Sequence, residues 1–490
     1  MKFNSAILPA VLLAATLTGC KSSSDNNVVD TDHDTGVASR LLVAADGASE
    51  VTVVNVRNSE DQATLTLSGP VTGIYSSPAS RYGLIAQADQ VEVIDGGIFQ
   101  VPHDGHFDTE VEDPAVAGEA FLEEALVSYR AHESRAALIA QHSATELEVL
   151  NFDDHALEEL FEEGAEEHAE GEEEHDHEGV RVLDLNRAAL VEPRGEQLVV
   201  VYTAESSQGA GDQVEIHHYH EEEGEEAGYE LEDTLTETCS NVQASFSVEE
   251  ASVFACADGV LVISEEENEE EVQIVAAAVE AAAEEEHEHE LAAEKIASDS
   301  AIDAFTASAH GHVVGAWSGN NLYVINLEHE HDEAEASEDE ELHQVDWNGD
   351  AADTNKLAAA IVPAAEAVVV LDDSGNLHVL TAHEEHEEAE GEAAEEEHEE
   401  HGYEYDGAIA NVLSNPAANV QLVASPVSDE VFILDRANNQ IVVVHVGEKE
   451  VHERIDLSFA PAHIAWVGVA GGEAGHDHGE EEEGHGHSHD

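Results

Sequence analysis

Basic residues are scarce in this chain of 490 residues, where 15 lysines and arginines face 111 aspartates and glutamates for a formal net charge of -96. A surface with that charge repels polyanions, so a nucleic acid is excluded as a partner. Cations are the obvious remaining ligands. The 32 histidines add nitrogen donors that a merely solubilising acidic surface would not need. Because 42% of the residues are hydrophobic, the chain can bury a large core, which argues against disorder throughout.

Familiar catalytic motifs are absent as well. The chain has no G-x-S-x-G, H-E-x-x-H, P-loop or G-x-G-x-x-G pattern, and its histidine–glutamate runs never place a second histidine at the zincin spacing. We therefore expect a protein that is not an enzyme. An enzyme whose catalytic residues come from distant strands would show no such motif and stays an alternative.

Long hydrophobic runs are missing too. The apolar stretch in MKFNSAILPAVLLAATLTGC is too short to span a bilayer, and with Lys2 before it and small residues after it the stretch predicts an export signal. Residues 17–20 resemble the lipoprotein box, in which Cys20 is lipidated; an ordinary secretion signal is the alternative. We expect a lipoprotein signal peptide over 1–19 and a flexible tether over 20–38. The predicted location is the periplasm, lipid-anchored to the inner or outer membrane of a Gram-negative bacterium.

Only two cysteines remain once Cys20 is assigned to lipid, namely Cys239 and Cys256. In an oxidising periplasm they are free to form a disulfide, which would stabilise the fold by roughly 3 kcal/mol. Two buried free thiols, or two soft metal ligands, are the alternative. Their separation is far wider than that of a C-x-x-C metal knuckle.

A repeated phrase appears when the acidic segments are set aside: an apolar strand, a short polar turn and an alternating strand. It occurs eight times, beginning near Ser39, Arg81, Arg135, Glu196, Glu249, His312, Glu366 and Asp429. β-Branched residues and Asp/Asn/Gly turns mark each phrase as an antiparallel hairpin. Repeated hairpins with a further strand on either side predict an all-β protein, an eight-bladed β-propeller over 39–472, with the C-terminus closing the ring. Seven blades, or a two-sheet sandwich, are the alternatives, and a monomer is expected.

Acidic, histidine-rich segments interrupt this rhythm. If each phrase supplies the second and third strands of a blade, the segments follow the third strand and emerge on one face, where we expect disordered loops and tail. Their predicted positions are near 154–179, 220–228, 264–294, 328–342 and 383–405, with a metal-binding tail over 473–490.

Pairs of histidines spaced His-x-His recur in these segments. In an extended chain alternate side chains point the same way, so one pair can offer two imidazoles to one ion. Histidine nitrogen and carboxylate oxygen suit Zn2+, while Cu2+, Ni2+ or Ca2+ are not excluded. The candidate ligands are His175, His177, His287, His289, His329, His331, His476, His478, His485, His487 and His489.

Three further clusters lie closer to the repeated strands. VPHDGHFD carries His103, Asp104, His106 and Asp108 around a glycine that permits a tight turn. VEIHHYH places His218 and His220 on one side of a strand and His217 on the other. His310 and His312 stand at the entry to a strand. Each cluster is a candidate metal site, and an ordinary surface turn is the alternative for each.

Several stretches resemble one known family. The sequence IYSSPASRYGLIAQADQVEVIDGGI, the H-x-x-H that follows it, AHESRAALIA, the two-cysteine stretch and the ending AHIAWVGVAGG are similar to periplasmic zinc metallochaperones of the AztD type. The resemblance implies a β-propeller that binds zinc and passes it to the solute-binding protein of a zinc ABC importer. It also implies that His103, His106 and His132 are ligands and that Cys239 and Cys256 are paired. A calcium-binding or protein-interaction propeller lipoprotein is the main alternative. The histidines argue against calcium, because Ca2+ gains nothing from imidazole nitrogen as a ligand.

Overall fold

The computed structural model describes residues 38–103, 106–132, 135–141, 146–162, 180–203, 212–220, 227–249, 251–265, 291–309, 311–327, 342, 344–349, 354–382 and 402–469. Within these residues the chain forms eight antiparallel sheets of four strands each and one separate two-stranded hairpin. The prediction of an all-β propeller with eight blades is therefore confirmed, and the seven-bladed ring and the sandwich are not what forms.

The strands are numbered in chain order, and each blade is one four-stranded sheet. Blades 1 and 2 comprise β1 (Ser39–Ala44), β2 (Glu50–Asn55), β3 (Gln62–Thr66) with β34 (His463–Gly468), and β4 (Gly73–Ser76), β5 (Tyr82–Ala86), β6 (Val91–Asp95) with β9 (Ala115–Val116). The separate hairpin is β7 (Ile98–His103) and β8 (His106–Val111). Blades 3 and 4 comprise β10 (Leu126–His132), β11 (Arg135–Gln141), β12 (Leu147–Phe152), β13 (Arg181–Leu185), and β14 (Ala189–Arg194), β15 (Gln197–Tyr202), β16 (Val214–His220), β17 (Gly228–Thr234).

The remaining four blades repeat the same order. Blades 5 and 6 comprise β18 (Ala244–Ser247), β19 (Ala251–Cys256), β20 (Gly259–Glu265), β21 (Leu291–Ala297), and β22 (Ala304–Ala307), β23 (Val313–Ser318), β24 (Asn321–Asn326), β25 (Gln344–Val345). Blades 7 and 8 comprise β26 (Lys356–Val362), β27 (Ala367–Asp372), β28 (Leu377–Ala382), β29 (Tyr403–Ile409), and β30 (Leu422–Ala424), β31 (Glu430–Asp435), β32 (Gln440–His445), β33 (Glu450–Asp456). Two short helical elements complete the described chain, α1 (Asp154–Glu162) and a 3-10 turn (Pro363–Ala365).

The ring is closed by the last strand of the chain. β34 pairs with β1 in antiparallel register, from Ser39 opposite Gly468 to Ala44 opposite His463, and so becomes the innermost strand of blade 1. The first strands of successive blades contact one another from β10 round to β34, and β34 contacts β4. Tyr129 completes the circle because its hydroxyl donates to the carbonyl of Ser76, 2.5 Å away, across blades 3 and 2.

The hydrophobic core is divided into wedges between neighbouring blades. Each of the eight clusters of buried side chains takes its members from two adjacent blades, so each blade buries both of its faces. This explains why second strands such as LLVA and VVVL read as continuous apolar runs instead of alternating ones. Outer strands such as β3 and β33 alternate between exposed and partly buried residues, because one of their sides faces water.

Candidate metal-binding face

The strand order decides where each connection leaves the ring. Strands alternate in direction within every blade, so the connection from first to second strand and the connection from third to fourth strand lie on the same face. We call this the insertion face. In blades 3 to 7 the connections from third to fourth strand contain residues 163–179, 221–226, 266–290, 328–341 and 383–401, which lie outside the described residues.

Both ends of the described chain lie on this face as well. Ser39 starts β1 and pairs with Gly468 at the end of β34, and the amide of Gly468 donates to the carbonyl of Ser80 in the first-to-second connection of blade 2, 2.8 Å away. The predicted tether over 20–38 and tail over 473–490, whose own residues are almost all outside the described chain, therefore join the ring at the insertion face.

The β7–β8 hairpin fills the third-to-fourth connection of blade 2. Its register places His103 directly opposite His106, and Val101 opposite Asp108, so the backbone itself brings the two histidine positions together. Asp104 lies outside the described residues. At the base of the hairpin, the amide of Gly97 donates to Asp95 Oδ1, 2.7 Å away, where a positive φ of 67° suits glycine. A short backbone turn at Gly97 thus marks where the hairpin leaves blade 2.

A cavity of ≈ 410 Å³ lies where the first strands of seven blades converge. Its wall is made of alanines, serines and aromatic rings, among them Tyr75, Tyr129, Phe246, Phe305 and Trp466, and the described lining residues include no histidine and no charged side chain. The described lining of this cavity therefore offers hydroxyl groups and apolar surface, but neither imidazole nor carboxylate.

His218 and His220 form the best-defined imidazole pair of the predicted ligands. They lie at the end of β16 on the insertion face, with ring centroids 4.7 Å apart in an edge-on arrangement. His218 Nε2 is 3.8 Å from Glu196 Oε2, and the other oxygen of Glu196 is held 2.6 Å from Arg181 Nη2. The structure thus brings together two imidazoles and one carboxylate oxygen, all partly accessible to solvent.

His217 faces the other side of β16, as the alternation of a strand requires. It is buried, and its Nε2 is 3.1 Å from Glu215 Oε2, which also accepts from the hydroxyl of Tyr202, 2.9 Å away. Gln213 donates to the second oxygen of Glu215 over 2.9 Å. Burial lowers the pKa of His217, an effect that Glu215 partly opposes. This histidine belongs to a hydrogen-bonded network inside blade 4 and is not gathered with His218 and His220.

His132 ends β10 on the insertion face, in the first-to-second connection of blade 3. Its Nε2 lies 3.0 Å from the carbonyl oxygen of Glu249 and 3.0 Å from Arg194 Nη1. Arg194 Nη1 also donates to the carbonyl of Val248, 3.1 Å away. The cluster ties the innermost strands of blades 3, 4 and 5 together, and it places a permanent positive charge beside this imidazole.

The other predicted ligands divide into one described residue and a larger set outside the described chain. His312 precedes β23 in the first-to-second connection of blade 6, where its carbonyl accepts from the amide of Leu327, 2.9 Å away. The predicted residues outside the described chain are His310, His175, His177, His287, His289, His329, His331, His476, His478, His485, His487, His489 and the lipidation candidate Cys20. Among the residues that the structure does describe, no group of three or more histidine, cysteine, aspartate or glutamate side chains is already arranged around a single ion.

A second cavity, of ≈ 330 Å³, opens between the base of the β7–β8 hairpin and α1. Arg81 crosses it, with Nη2 2.8 Å from Asp95 Oδ2 and Nη1 3.3 Å from Glu158 Oε1, and its guanidinium lies 4.3 Å from the centroid of the Phe99 ring. Asp154 accepts from the hydroxyl of Ser77 and the amide of Ala79, yet burial outweighs these bonds and raises its pKa to about 6. Because Arg81 pairs with both carboxylates and the described lining contains a single histidine, His155, this cavity is a poor place for a metal ion.

Cys239 and Cys256 are joined by a disulfide, so they are neither free thiols nor metal ligands in this structure. Both are fully buried in the wedge between blades 4 and 5, and their separation in sequence is 17 residues. The bridge ties β19 to the segment that precedes blade 5.

Sequence reasoning missed one pair of histidines in blade 8, His445 at the end of β32 and His452 in β33. Their ring centroids are 4.4 Å apart. A signal was present, because His445 occupies the same place in its blade as His218 does in blade 4: the two pair with Glu430 and Gln197, each near the start of its second strand. His445 lies inside an ordinary repeat phrase and His452 lies in the strand that follows it, and neither belongs to a His-x-His motif that would draw attention to it.

Comparison with known proteins identifies a fold relationship. No protein-family model matches the chain, and no curated protein matches its sequence. Two solved structures of AztD from Citrobacter koseri share its architecture with a TM-score of 0.60, at 11% identity for the apo structure and 12% for the second, covering 88% of this chain and 98% of theirs. Dihydro-heme d1 dehydrogenase NirN matches with a TM-score of 0.48 and 10% identity, over 89% of this chain and 76% of its own.

The resemblance to AztD that the sequence suggested is thus confirmed for the fold. At 11–12% identity the likeness concerns architecture alone, and it transfers neither a ligand nor a partner to this chain. No described helix is long and apolar enough to cross a membrane. The histidine- and glutamate-rich connections of this chain are all attached to one face of the ring.

Proposed function

We propose that this protein is a periplasmic zinc-binding metallochaperone or zinc buffer, which captures Zn2+ on the insertion face and hands it to the solute-binding protein of a zinc ABC importer. A single observation carries the proposal. Every histidine-rich connection and both ends of the ring belong to the same face, where the described chain already pairs His218 with His220 beside Glu196. The lipid anchor proposed at Cys20 would join the ring at that face too.

Ligand chemistry favours zinc over calcium. Imidazole nitrogen with carboxylate oxygen is a common donor set for Zn2+, whereas Ca2+ is bound by oxygen alone. Cu2+ and Ni2+ accept the same donor atoms. Which of these ions occupies the sites therefore depends on how much of each ion the compartment supplies, and not on the ligands. Since neutral imidazole is the ligand, zinc uptake decreases as the pH falls through roughly 6 to 7.

The geometry of the described pair suits capture and release. His218, His220 and Glu196 are partly exposed, and three protein ligands leave a fourth position of a tetrahedral ion open to water or to a ligand from another protein. A closed four-ligand site would hold zinc more permanently. We therefore propose that the protein, acting as a monomer, transfers or buffers zinc. In this proposal the zinc neither holds the fold together nor serves an enzymatic reaction.

The test separates nitrogen ligands from negative charge. In the chain from residue 21 onward, one variant changes every histidine of residues 163–179, 266–290, 328–341, 383–401 and 473–490 to glutamine and keeps all carboxylates. A matched variant keeps the histidines and changes an equal number of glutamates in the same segments to glutamine. Titration calorimetry with Zn2+ and Ca2+ is then run on both variants and on the unchanged chain at pH 7.

We expect the histidine variant to lose most of its zinc sites while its weak calcium binding is unchanged. The glutamate variant should retain zinc binding with reduced affinity and lose calcium binding. If the histidine variant binds zinc as the unchanged chain does, or if the unchanged chain takes up calcium and ignores micromolar zinc, the proposed function is wrong.

A further inference from the structure

Blade 8 carries a cluster of titratable side chains that the predicted metal sites do not include. His445 ends β32 and His452 lies in the adjacent strand β33, both at the insertion face. The pairing of these strands shifts by one residue between Val443 and Val444, so His452 occupies the bulge. The irregularity turns His452 towards its neighbour, which leaves the two ring centroids 4.4 Å apart.

Two carboxylates flank the ring of His445, one near each nitrogen. Asp429 Oδ1 is 3.7 Å from Nδ1, and Glu430 Oε1 is 3.4 Å from Nε2. The second oxygen of each carboxylate is held elsewhere: the amide of Gly447 donates to Asp429 Oδ2 and the hydroxyl of Ser428 donates to Glu430 Oε2, both over 3.1 Å. These outer bonds orient the carboxylates so that one oxygen of each faces the imidazole.

The distance at Nε2 matches a shared metal ion better than a direct hydrogen bond. An N–H···O bond spans about 2.7–3.2 Å, and Nε2 is a buried atom to which no described residue offers a hydrogen-bond partner. In a tetrahedral zinc site, bonds of about 2.0–2.2 Å place neighbouring nitrogen and oxygen ligands about 3.4 Å apart. The observed separation between Nε2 and Glu430 Oε1 is 3.4 Å.

Positive charge does not compete for the site. Lys449, the cation in the turn between β32 and β33, points instead at Asp406, with Nζ 2.6 Å from Oδ2. Arg454 on β33 donates to the carbonyl of Val412, 2.9 Å away. Asp429, Glu430 and the two imidazoles therefore form a group whose net charge favours a cation.

We propose that blade 8 binds one divalent transition-metal ion, such as Zn2+, through His445, His452 and Glu430, with Asp429 fixing the orientation of the His445 ring. The ligands are not yet arranged around one point, and binding turns the exposed His452 side chain towards Nε2 of His445. Two histidines and one glutamate leave a fourth coordination position open, as in exchangeable zinc sites. The site extends the proposed zinc binding to a fixed position on the ring, independent of the histidine-rich segments.

Hydrogen exchange of β33 reads out this site without interference from other bound zinc. β33 is the outermost strand of its blade and contains the bulge, so it opens locally more easily than the inner strands. An ion that joins His445 on β32 to His452 on β33 stabilises the closed form of the strand. The population of the open form, and with it the rate of hydrogen exchange, then falls by a factor of one plus the ratio of the free metal concentration to the dissociation constant of the site. At ten times that constant, exchange of residues 450–456 should slow about elevenfold.

The experiment compares exchange with and without Zn2+ in the chain from residue 21 onward. His445→Gln and Glu430→Gln, which keep the side-chain size, should abolish or strongly reduce the zinc-dependent slowing in β33. The matched control is His218→Gln with His220→Gln, which should leave that slowing unchanged. Protection in β33 that survives His445→Gln, or its absence in an unchanged chain that binds zinc elsewhere, overturns the proposal. If no segment of the chain binds zinc, the proposed function itself fails.

Discussion

A buried ion pair beneath the insertion face gives the sharpest test of how the ring is held together. Arg130 on β10 places Nε 2.9 Å from Oε1 of Glu192 on β14, and the hydroxyl of Ser247 on β18 donates to Oε2 over 2.9 Å. Three consecutive blades are thereby joined at their innermost strands. The two charged groups differ in exposure, since the side chain of Glu192 is 0% exposed and that of Arg130 is 27% exposed.

This difference predicts unequal costs for the two single substitutions. Arg130→Met leaves a fully buried carboxylate without its cation, which costs roughly 3–5 kcal/mol of unfolding free energy. Glu192→Gln keeps the shape and the hydrogen bond to Ser247 and leaves a guanidinium that water can still reach, so its cost is about 1–1.5 kcal/mol. Burial already raises the pKa of Glu192, against the opposing effect of Arg130.

Urea unfolding of both variants at several pH values checks the prediction. Without Arg130 the pKa of Glu192 rises further in the folded protein, so the folded state binds the proton more tightly than the unfolded chain. The loss of unfolding free energy caused by Arg130→Met should therefore shrink as the pH is lowered towards 5. The loss caused by Glu192→Gln should not shrink, because the raised pKa of Glu192 lets the unchanged protein gain stability from protonation at low pH, and glutamine cannot. If Glu192→Gln costs as much as Arg130→Met at pH 7, or if the deficit of Arg130→Met ignores pH, the reasoning from exposure is wrong.

Three further outcomes are expected. Replacing Cys239 and Cys256 by alanine should lower the unfolding free energy by roughly 3 kcal/mol, from a loop of 17 residues; reducing agent should then have no further effect in denaturant titrations. Burial raises the pKa of Asp154 from 3.8 to about 6. The contribution of Asp154 to stability is therefore greatest at low pH, and it falls by at most about 3 kcal/mol as the pH rises through 6. Asp154→Asn should remove that part of the pH dependence in thermal melts. Gly375→Ala should destabilise by at least about 2 kcal/mol more than Gly195→Ala, as thermal melts of the two variants would show. Both glycines have positive φ, but only at Gly375 would an added Cβ clash with a backbone carbonyl, that of Leu413.

The architecture could be predicted from the sequence because its signal is local and repeated. Each phrase became the second and third strands of a blade, as in β1 with β2 and β27 with β28. The β-branched runs and the polar turns are features of adjacent residues, and eight copies reinforce one another. Closure by the C-terminal strand was also readable, because the first phrase lacks a preceding strand and the last one is followed by an extra strand.

Helix α1 also has a signal in the sequence, but that signal is easily overlooked. Helix α1 lies within the segment near 154–179 that was expected to be an acidic insertion. Its Ala156, Leu157 and Leu160 recur at helical spacing and are buried against blades 2 and 3. Surrounding glutamates conceal this short amphipathic pattern in the composition.

The polar clusters could not be predicted, because they depend on distances between blades. Nothing in the sequence links His132 to Arg194, which are 62 positions apart, or Arg130 to Glu192. These residues meet only because the innermost strands of blades 3, 4 and 5 pack side by side around the axis of the ring. The contact of His445 with His452 could not be predicted for a different reason: both lie in blade 8, and their contact depends on a one-residue shift in strand pairing that no local motif indicates.

The separation of the scaffold from the proposed ligands has a consequence for how the proposed metal binding can vary. The wedges between blades take their stability from apolar residues on the inner strands, while proposed ligands such as His218, His220 and Glu196 lie at a strand end or in a connection on the insertion face. Because those positions contribute little to the core, their number and affinity can change without destabilising the ring. His217 is an exception to this freedom. Although it is next to His218 in sequence, it is buried and its ring belongs to the hydrogen-bonded network of Glu215, so its replacement would affect the fold.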